Sequence, residues 1–184
     1  DSAFPGESPS ITYDNMAIAI GAFERGLLTP SPFDRFMAGE DAALDATAQK
    51  GLALFLGKGC ITCHNGPAIG GAMYQKMGLV KPYPLEDAGR FEATKNEADR
   101  HFFKVPSLRN ITKTGPYFHD GSIASLDEAI LLMGRHQLGI ELEANERNQI
   151  AAFLEALTGA VEASYIAKPE LPENGPDTPA PDPS

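Results

Sequence analysis

Apolar residues recur at helical spacing in four stretches of the chain. From residue 10 or 12 to about 28, Ile11, Met16, Ile20, Phe23 and Leu27 follow one another at steps of three to five residues, which predicts a helix. Thr29-Pro30-Ser31-Pro32 stops it, because proline lacks the amide proton and clashes with the preceding turn. Phe33, Phe36 and Met37 then fit one side of a short helical turn. A second helix is predicted over 47–57, with Leu52, Phe55 and Leu56 as its apolar stripe and Gly57 and Gly59 at its end. Ser125, with Glu128 three residues on, has the spacing of a capping box and opens a helix through Met133. A last helix covers about 144–157, with Ile150, Phe153, Leu154 and Leu157 on one face.

Between these helices the pattern lapses. Residues 66–81 are rich in glycine and read as loop, and 82–99 as charged and irregular. Residues 102–111 suit an extended conformation, although Pro106 argues against a central strand. The expected architecture is therefore all-α, a domain of few helices and long irregular loops. Loops of that length around so few helices suit a fold organised by a cofactor. Residues 1–9 read as an extended lead-in, 10–160 as the folded domain, and 161–184 as a proline-rich tail. That tail carries six prolines from Lys168 onward and is expected to be disordered.

Composition narrows the classes. The chain has 184 residues, 42% apolar and 22% charged, enough for one domain with a real core. No run approaches the roughly 18 apolar residues of a membrane span. A formal net charge of −10 disfavours nucleic acid as a partner, since phosphate binding needs a basic surface. The chain starts at Asp1 without a signal peptide, as a processed mature form or a piece of a longer protein would.

The chemistry lies in Cys60-Ile61-Thr62-Cys63-His64, which holds both cysteines of the chain. C-x-x-C-H is the spacing of c-type haem attachment. Two thiols add to the porphyrin vinyl groups, and the adjacent histidine reaches the iron as proximal ligand. A thioredoxin-like site would need a βαβ pattern around the motif, and a structural zinc site a second ligand pair; the sequence has neither. The expectation is one covalent haem c, held by Cys60, Cys63 and His64. Attachment of haem c takes place across the inner membrane in bacteria, so the periplasm is the expected address. The second axial ligand is open among Met16, Met37, Met73, Met77, Met133, His101, His119 and His136. A helical Met is more often core than ligand. Met133 stands out because it ends a capped helix beside Gly134, where backbone can approach a flat ring; Met73 and Met77 are its rivals.

Further runs carry a resemblance. These are Ala22-Phe23-Glu24-Arg25, Thr29 to Arg35, Phe103-Lys104-Val105-Pro106-Ser107-Leu108-Arg109-Asn110, Gly115-Pro116-Tyr117-Phe118-His119-Asp120-Gly121, and Met133-Gly134-Arg135 with Gln137-Leu138. Together with the haem motif they resemble the C-terminal, electron-accepting haem domain of the bacterial di-haem cytochrome c peroxidase and MauG family, over about 10–159. The resemblance implies His64 as proximal and Met133 as distal ligand of a high-potential haem; MauG-like members have Tyr at that position. It implies calcium held partly by the backbone carbonyls of Thr114 and Pro116, with a further ligand from the other domain. It places His119 in the interdomain region and suggests Arg109 as a propionate or interface residue, or an ordinary salt bridge. It implies a small donor protein, a cytochrome c or cupredoxin, and an N-terminal domain where peroxide is reduced. This chain has one C-x-x-C-H motif where family members have two, and no Trp, the residue of the family's relay in the other half. Two alternatives remain: a stand-alone mono-haem carrier, and a single-haem peroxidase.

Overall fold

The computed structural model describes residues 2–180 except 172, 177 and 179. Among the described residues, six α-helices carry the fold. The first is α1 (Tyr13–Arg25), capped by Thr12, whose hydroxyl accepts from the Asn15 N–H. Next is α2 (Pro32–Met37), with proline in its first turn and a capping box between Ser31 and Asp34. Asp45 caps α3 (Ala46–Gly57) by accepting from the N–H groups of Thr47 and Ala48. A single turn, α4 (Phe91–Thr94), interrupts the stretch expected to be irregular. Ser125 caps α5 (Leu126–Met133), which runs on into a π-helical turn over Gly134–Leu138. The last, α6 (Ala144–Glu155), ends close to where its apolar face does.

The all-α expectation holds only approximately. β1 (Tyr74–Lys76) and β2 (Phe102–Lys104) pair antiparallel, with Gln75 opposite Phe103. Three-residue strands are too short to leave an alternating signature, so β1 is hidden in the glycine-rich loop. Beyond β2 the chain stays extended, and its ladder stops short of Pro106, which has no N–H to give.

The core forms where α3 crosses α6. Phe55 lies against Phe153 with ring centroids 5.2 Å apart, and Phe33 meets Phe153 edge-on at 5.5 Å. Leu108, Ile130, Leu142, Ile150, Leu154 and Leu157 complete the cluster. The crossing is close because residue 51 is glycine. A Cβ there would stand 1.9 Å from the Gln149 carbonyl oxygen. The first turn of α5 and the start of α6 are joined by Arg147, which donates to Asp127 Oδ1 at 2.8 Å and to the Leu142 carbonyl at 2.9 Å.

α1 behaves differently from its periodicity. Its apolar positions include Met16, Ile20 and Phe23, all more than 40% exposed, and its buried residue is Asn15. Spacing reveals an apolar face but not whether anything covers it. Asn15 Nδ2 donates to Glu7 and to the Ser10 carbonyl, which ties the lead-in to the helix. Tyr165 stacks on Phe23 at 5.2 Å and donates its hydroxyl to the Phe23 carbonyl. The start of the segment read as tail therefore has a seat on α1.

Thr29 and Ser31, read from sequence as part of a helix stop, are buried. They sit beside a clasp. Arg109 Nη1 and Nη2 donate to the two oxygens of Asp34 at 2.8 and 2.7 Å, Nη1 also to the Thr29 carbonyl, and Nε to the Pro67 carbonyl at 2.6 Å. The guanidinium thus joins α2 and the segment before it to the loop after the C-x-x-C-H motif. The Arg109 hydrogen bonds, with help from Ser31, hold the Asp34 carboxyl well below the usual carboxylate range.

Two outcomes follow from these contacts. Gly51→Ala should cost about 2–3 kcal/mol and lower the thermal midpoint, because the α3–α6 crossing has no space for a methyl. Asp34→Asn should destabilise the chain by about 1–2 kcal/mol at neutral pH. Since the folded Asp34 titrates below its ordinary value of 3.8, its contribution is complete above that value and is lost as pH falls toward the folded one. Denaturant midpoints of parent and variant should converge in strong acid; a constant gap would show that the ion pair contributes nothing.

Candidate functional site

α3 delivers the haem motif. Its last turn gives way at Gly59, which sits at φ +96, and Cys60–Thr62 then form a 3-10 turn. Cys63 and His64 donate their amide protons to the Cys60 carbonyl at 3.2 and 3.0 Å. Asn65 Nδ2 closes the turn by donating to the carbonyls of Ile61 and Thr62. The turn therefore holds Cys60, Cys63 and His64 in one compact unit. The two thiols are not joined in a disulfide, and burial pushes the Cys60 thiol up.

The segment 105–110 runs beside the following loop and stitches it down. The Gly71 N–H donates to the Val105 carbonyl, the Leu108 N–H to the Ile69 carbonyl, and Ser107 Oγ to the Ala68 carbonyl. Gly70 has no substitute here. A Cβ would meet the Pro106 carbonyl oxygen at 2.1 Å and His64 Nδ1 at 3.3 Å, at a φ of +126. The His64 ring is thereby confined between Phe55, at 6.3 Å between centroids, and this backbone. Its Nδ1 is buried without a hydrogen-bond partner. Burial pushes the imidazole pKa down against a contrary pull from the backbone of Pro106 and Ile69. The neutral ring that results is the form that binds metal.

Cys60, Cys63 and His64 open onto a cavity of about 580 Å³. Its far wall is α5 and the π-helical turn, through Leu126, Ala129, Ile130, Met133 and Gln137. Its mouth carries aromatic residues: Phe103 packs against His119 at 4.2 Å, and Tyr83 against Phe118 at 5.5 Å. The size is that of a cofactor site, and the lining is mostly apolar with few polar groups. Two thiols, a neutral imidazole and a thioether facing one apolar cavity fit a covalent haem.

The structure sorts the candidate second ligands. Met133, Met77 and His119 line the cavity. Met16 and Met37 are exposed, Met73, His101 and His136 lie off the lining, and His136 is engaged with the Lys81 carbonyl at 3.1 Å. His119 faces Asp87 at 3.5 Å and stacks on Phe103. Thr114 and Pro116 also line the cavity. Among the described residues no group of three or more His, Cys, Asp and Glu could hold a metal ion. Sequence reasoning offered Met77 as a rival ligand but missed the tie between Gln137 and the loop around Met77, because Gly78 and Gln137 are 59 residues apart.

No family model matches the sequence. Curated relatives do. A cytochrome c551 peroxidase of Nitrosomonas europaea is 49% identical over 175 residues, covering 94% of this chain and 52% of the relative. That of Pseudomonas aeruginosa is 43% identical, covering 97% and 53%. The methylamine utilization protein MauG of Methylorubrum extorquens is 36% identical, covering 93% and 51%. The chain spans about half the length of these curated relatives. A crystal structure of a MauG-like protein associated with microbial copper homeostasis matches with a TM-score of 0.67 at 30% identity, over 91% of this chain and 59% of that one. By sequence over nearly its whole length, and by fold, the chain belongs to the bacterial di-haem cytochrome c peroxidase and MauG family.

Proposed function

We propose that the chain is the electron-accepting haem domain of a periplasmic cytochrome c peroxidase, corresponding to the C-terminal half of the family's enzymes. The observation that carries the reading is that Cys60, Cys63, His64 and Met133 line one apolar cavity. Family membership implies haem c as the cofactor. Bound there, one haem would supply a one-electron couple, raised in potential by a thioether ligand.

The chain's own residues divide the remaining work. Cys60 and Cys63 would anchor the porphyrin edge through thioether bonds. His64, fixed by Phe55 and the backbone at Gly70, and Met133 would hold the iron. The apolar wall of Phe55, Ile130, Ile150 and Leu154 excludes water and so favours the less charged state of a redox centre. With His64 and Met133 both holding the iron, this half would offer peroxide no open site. Its reduction would belong to the other half of the enzyme, and electrons would come from a small donor of the cytochrome c or cupredoxin type. Among the described residues no helix is long and apolar enough to cross a membrane. Thr114 and Pro116 would contribute carbonyls to a calcium shared with the other half.

The deciding experiment is peroxide reduction by the purified chain with reduced cytochrome c as donor, after haem content has been measured. The expected result is no turnover, together with rapid one-electron oxidation and reduction. Turnover would replace this reading with a single-haem peroxidase. Changing both Cys60 and Cys63 to Ala should make the haem extractable by acidified organic solvent; retained haem would rule out attachment at this motif. Met133→Ala should abolish the weak thioether-to-iron band at the red edge of the spectrum. A surviving band would move the assignment to Met77.

A further inference from the structure

The loop leaving β1 and the π-helical turn after Met133 lie side by side, and one side chain makes the join. Gln137 Oε1 accepts from the N–H groups of Gly78 at 2.7 Å and Leu79 at 3.0 Å, while Gln137 Nε2 donates to the Lys76 carbonyl at 3.0 Å. Its neighbour extends the seam: the His136 carbonyl accepts from the N–H groups of Val80 and Lys81 at 3.0 and 3.1 Å. The two segments meet without spare room. A Cβ on Gly139 would stand 2.7 Å from Val80 Cγ1.

The residues that Gln137 grips flank Met77, and Gln137 itself follows Met133 by one helical turn. Gln137, Met77, Leu79 and Met133 all line the cavity. Every hydrogen-bonding group of the Gln137 amide oxygen and one of its N–H groups is directed into the loop, so the polar side chain in this apolar wall is matched to a single closed arrangement.

We infer that Gln137 is the positioning residue that keeps this thioether-bearing wall closed, and that it thereby decides whether small outside ligands reach the iron of the bound haem. The inference rests on the reading that haem c occupies this cavity opposite His64. With the three Gln137 bonds in place, the loop 76–81 and the end of α5 form one surface. Without them, the loop is free to move away from the turn, carrying Met77 with it and leaving Met133 unsupported.

The test uses the haem-loaded chain and cyanide as the probe. Gln137→Leu keeps similar bulk and removes all three bonds. Gln137→Glu keeps both acceptor bonds and loses the donation to Lys76. Expected for Gln137→Leu is cyanide association faster by about tenfold or more, the factor carried by one to two net hydrogen bonds, with a weakened thioether band. Gln137→Glu should fall between it and the parent. Asn15→Ala frees the lead-in from α1, none of whose residues lines the cavity, and should leave cyanide kinetics unchanged. Parental cyanide kinetics in Gln137→Leu, or equal acceleration in Asn15→Ala, would overturn the inference. Met133→Ala separates the two readings. If it keeps the band while Gln137→Leu weakens it, Met133 is not the ligand and the role of Gln137 stands. If it abolishes the band while Gln137→Leu changes nothing, the ligand assignment stands and the role of Gln137 falls.

Discussion

Core and cavity share one wall, and the rest of the structure answers to that constraint. Phe55, Leu108, Ile130, Leu142, Ile150 and Leu154 belong to the hydrophobic cluster and also line the cavity. The same side chains that hold α3, α5 and α6 together therefore shape the space beside His64. A change that fills or collapses this wall alters stability and cofactor fit in one stroke. The close crossing at Gly51 brings α3 and α6 near enough for Phe55 and Phe153 to touch, and the turn that follows α3 presents the two thiols to the cavity. A group that binds the folded chain and not the unfolded one adds its binding free energy to this arrangement.

The irregular half of the chain is held by a different means. Segment 105–110 is extended and makes no regular sheet beyond β2, yet its carbonyls, amides and side chains secure the loop after the haem motif. Asn110, at φ +58, adds a tie to the end of α6, its Oδ1 accepting from the Gly159 N–H at 2.8 Å. Backbone groups that have no ladder partner must find others when buried, and here the partners come from specific polar side chains. This is why a loop-rich domain keeps a defined cavity.

Much of the site was legible in the sequence because its signals are local. The spacing of Cys60, Cys63 and His64 states an attachment chemistry, and the Ser125 cap dates the start of the helix that ends at Met133. Helix positions were legible for the same reason: each cap and stripe lies within one segment. What was not legible depends on distant pairings. Arg109 shows no partner in its own neighbourhood; Asp34 is 75 residues away. Met77 and Gln137 acquire their places only when two loops meet. β1 is too short to show a period, and α1 shows a period whose apolar side the fold leaves bare.

That bare side of α1 has a consequence for how the molecule opens. A capped helix of 13 residues is marginal alone, and most helical stability comes from packing an apolar face. α1 has little such packing; the Phe23–Tyr165 stack and the Asn15 hydrogen bonds are its moorings. It therefore lies at the low end of the chain's range of local stabilities, with α3 and α6 at the high end. Its amides should exchange with solvent through brief local melting, while those around His64 wait for the whole domain to unfold. No residue of α1 lines the cavity beside His64, so this loosely moored strut can come and go without opening it.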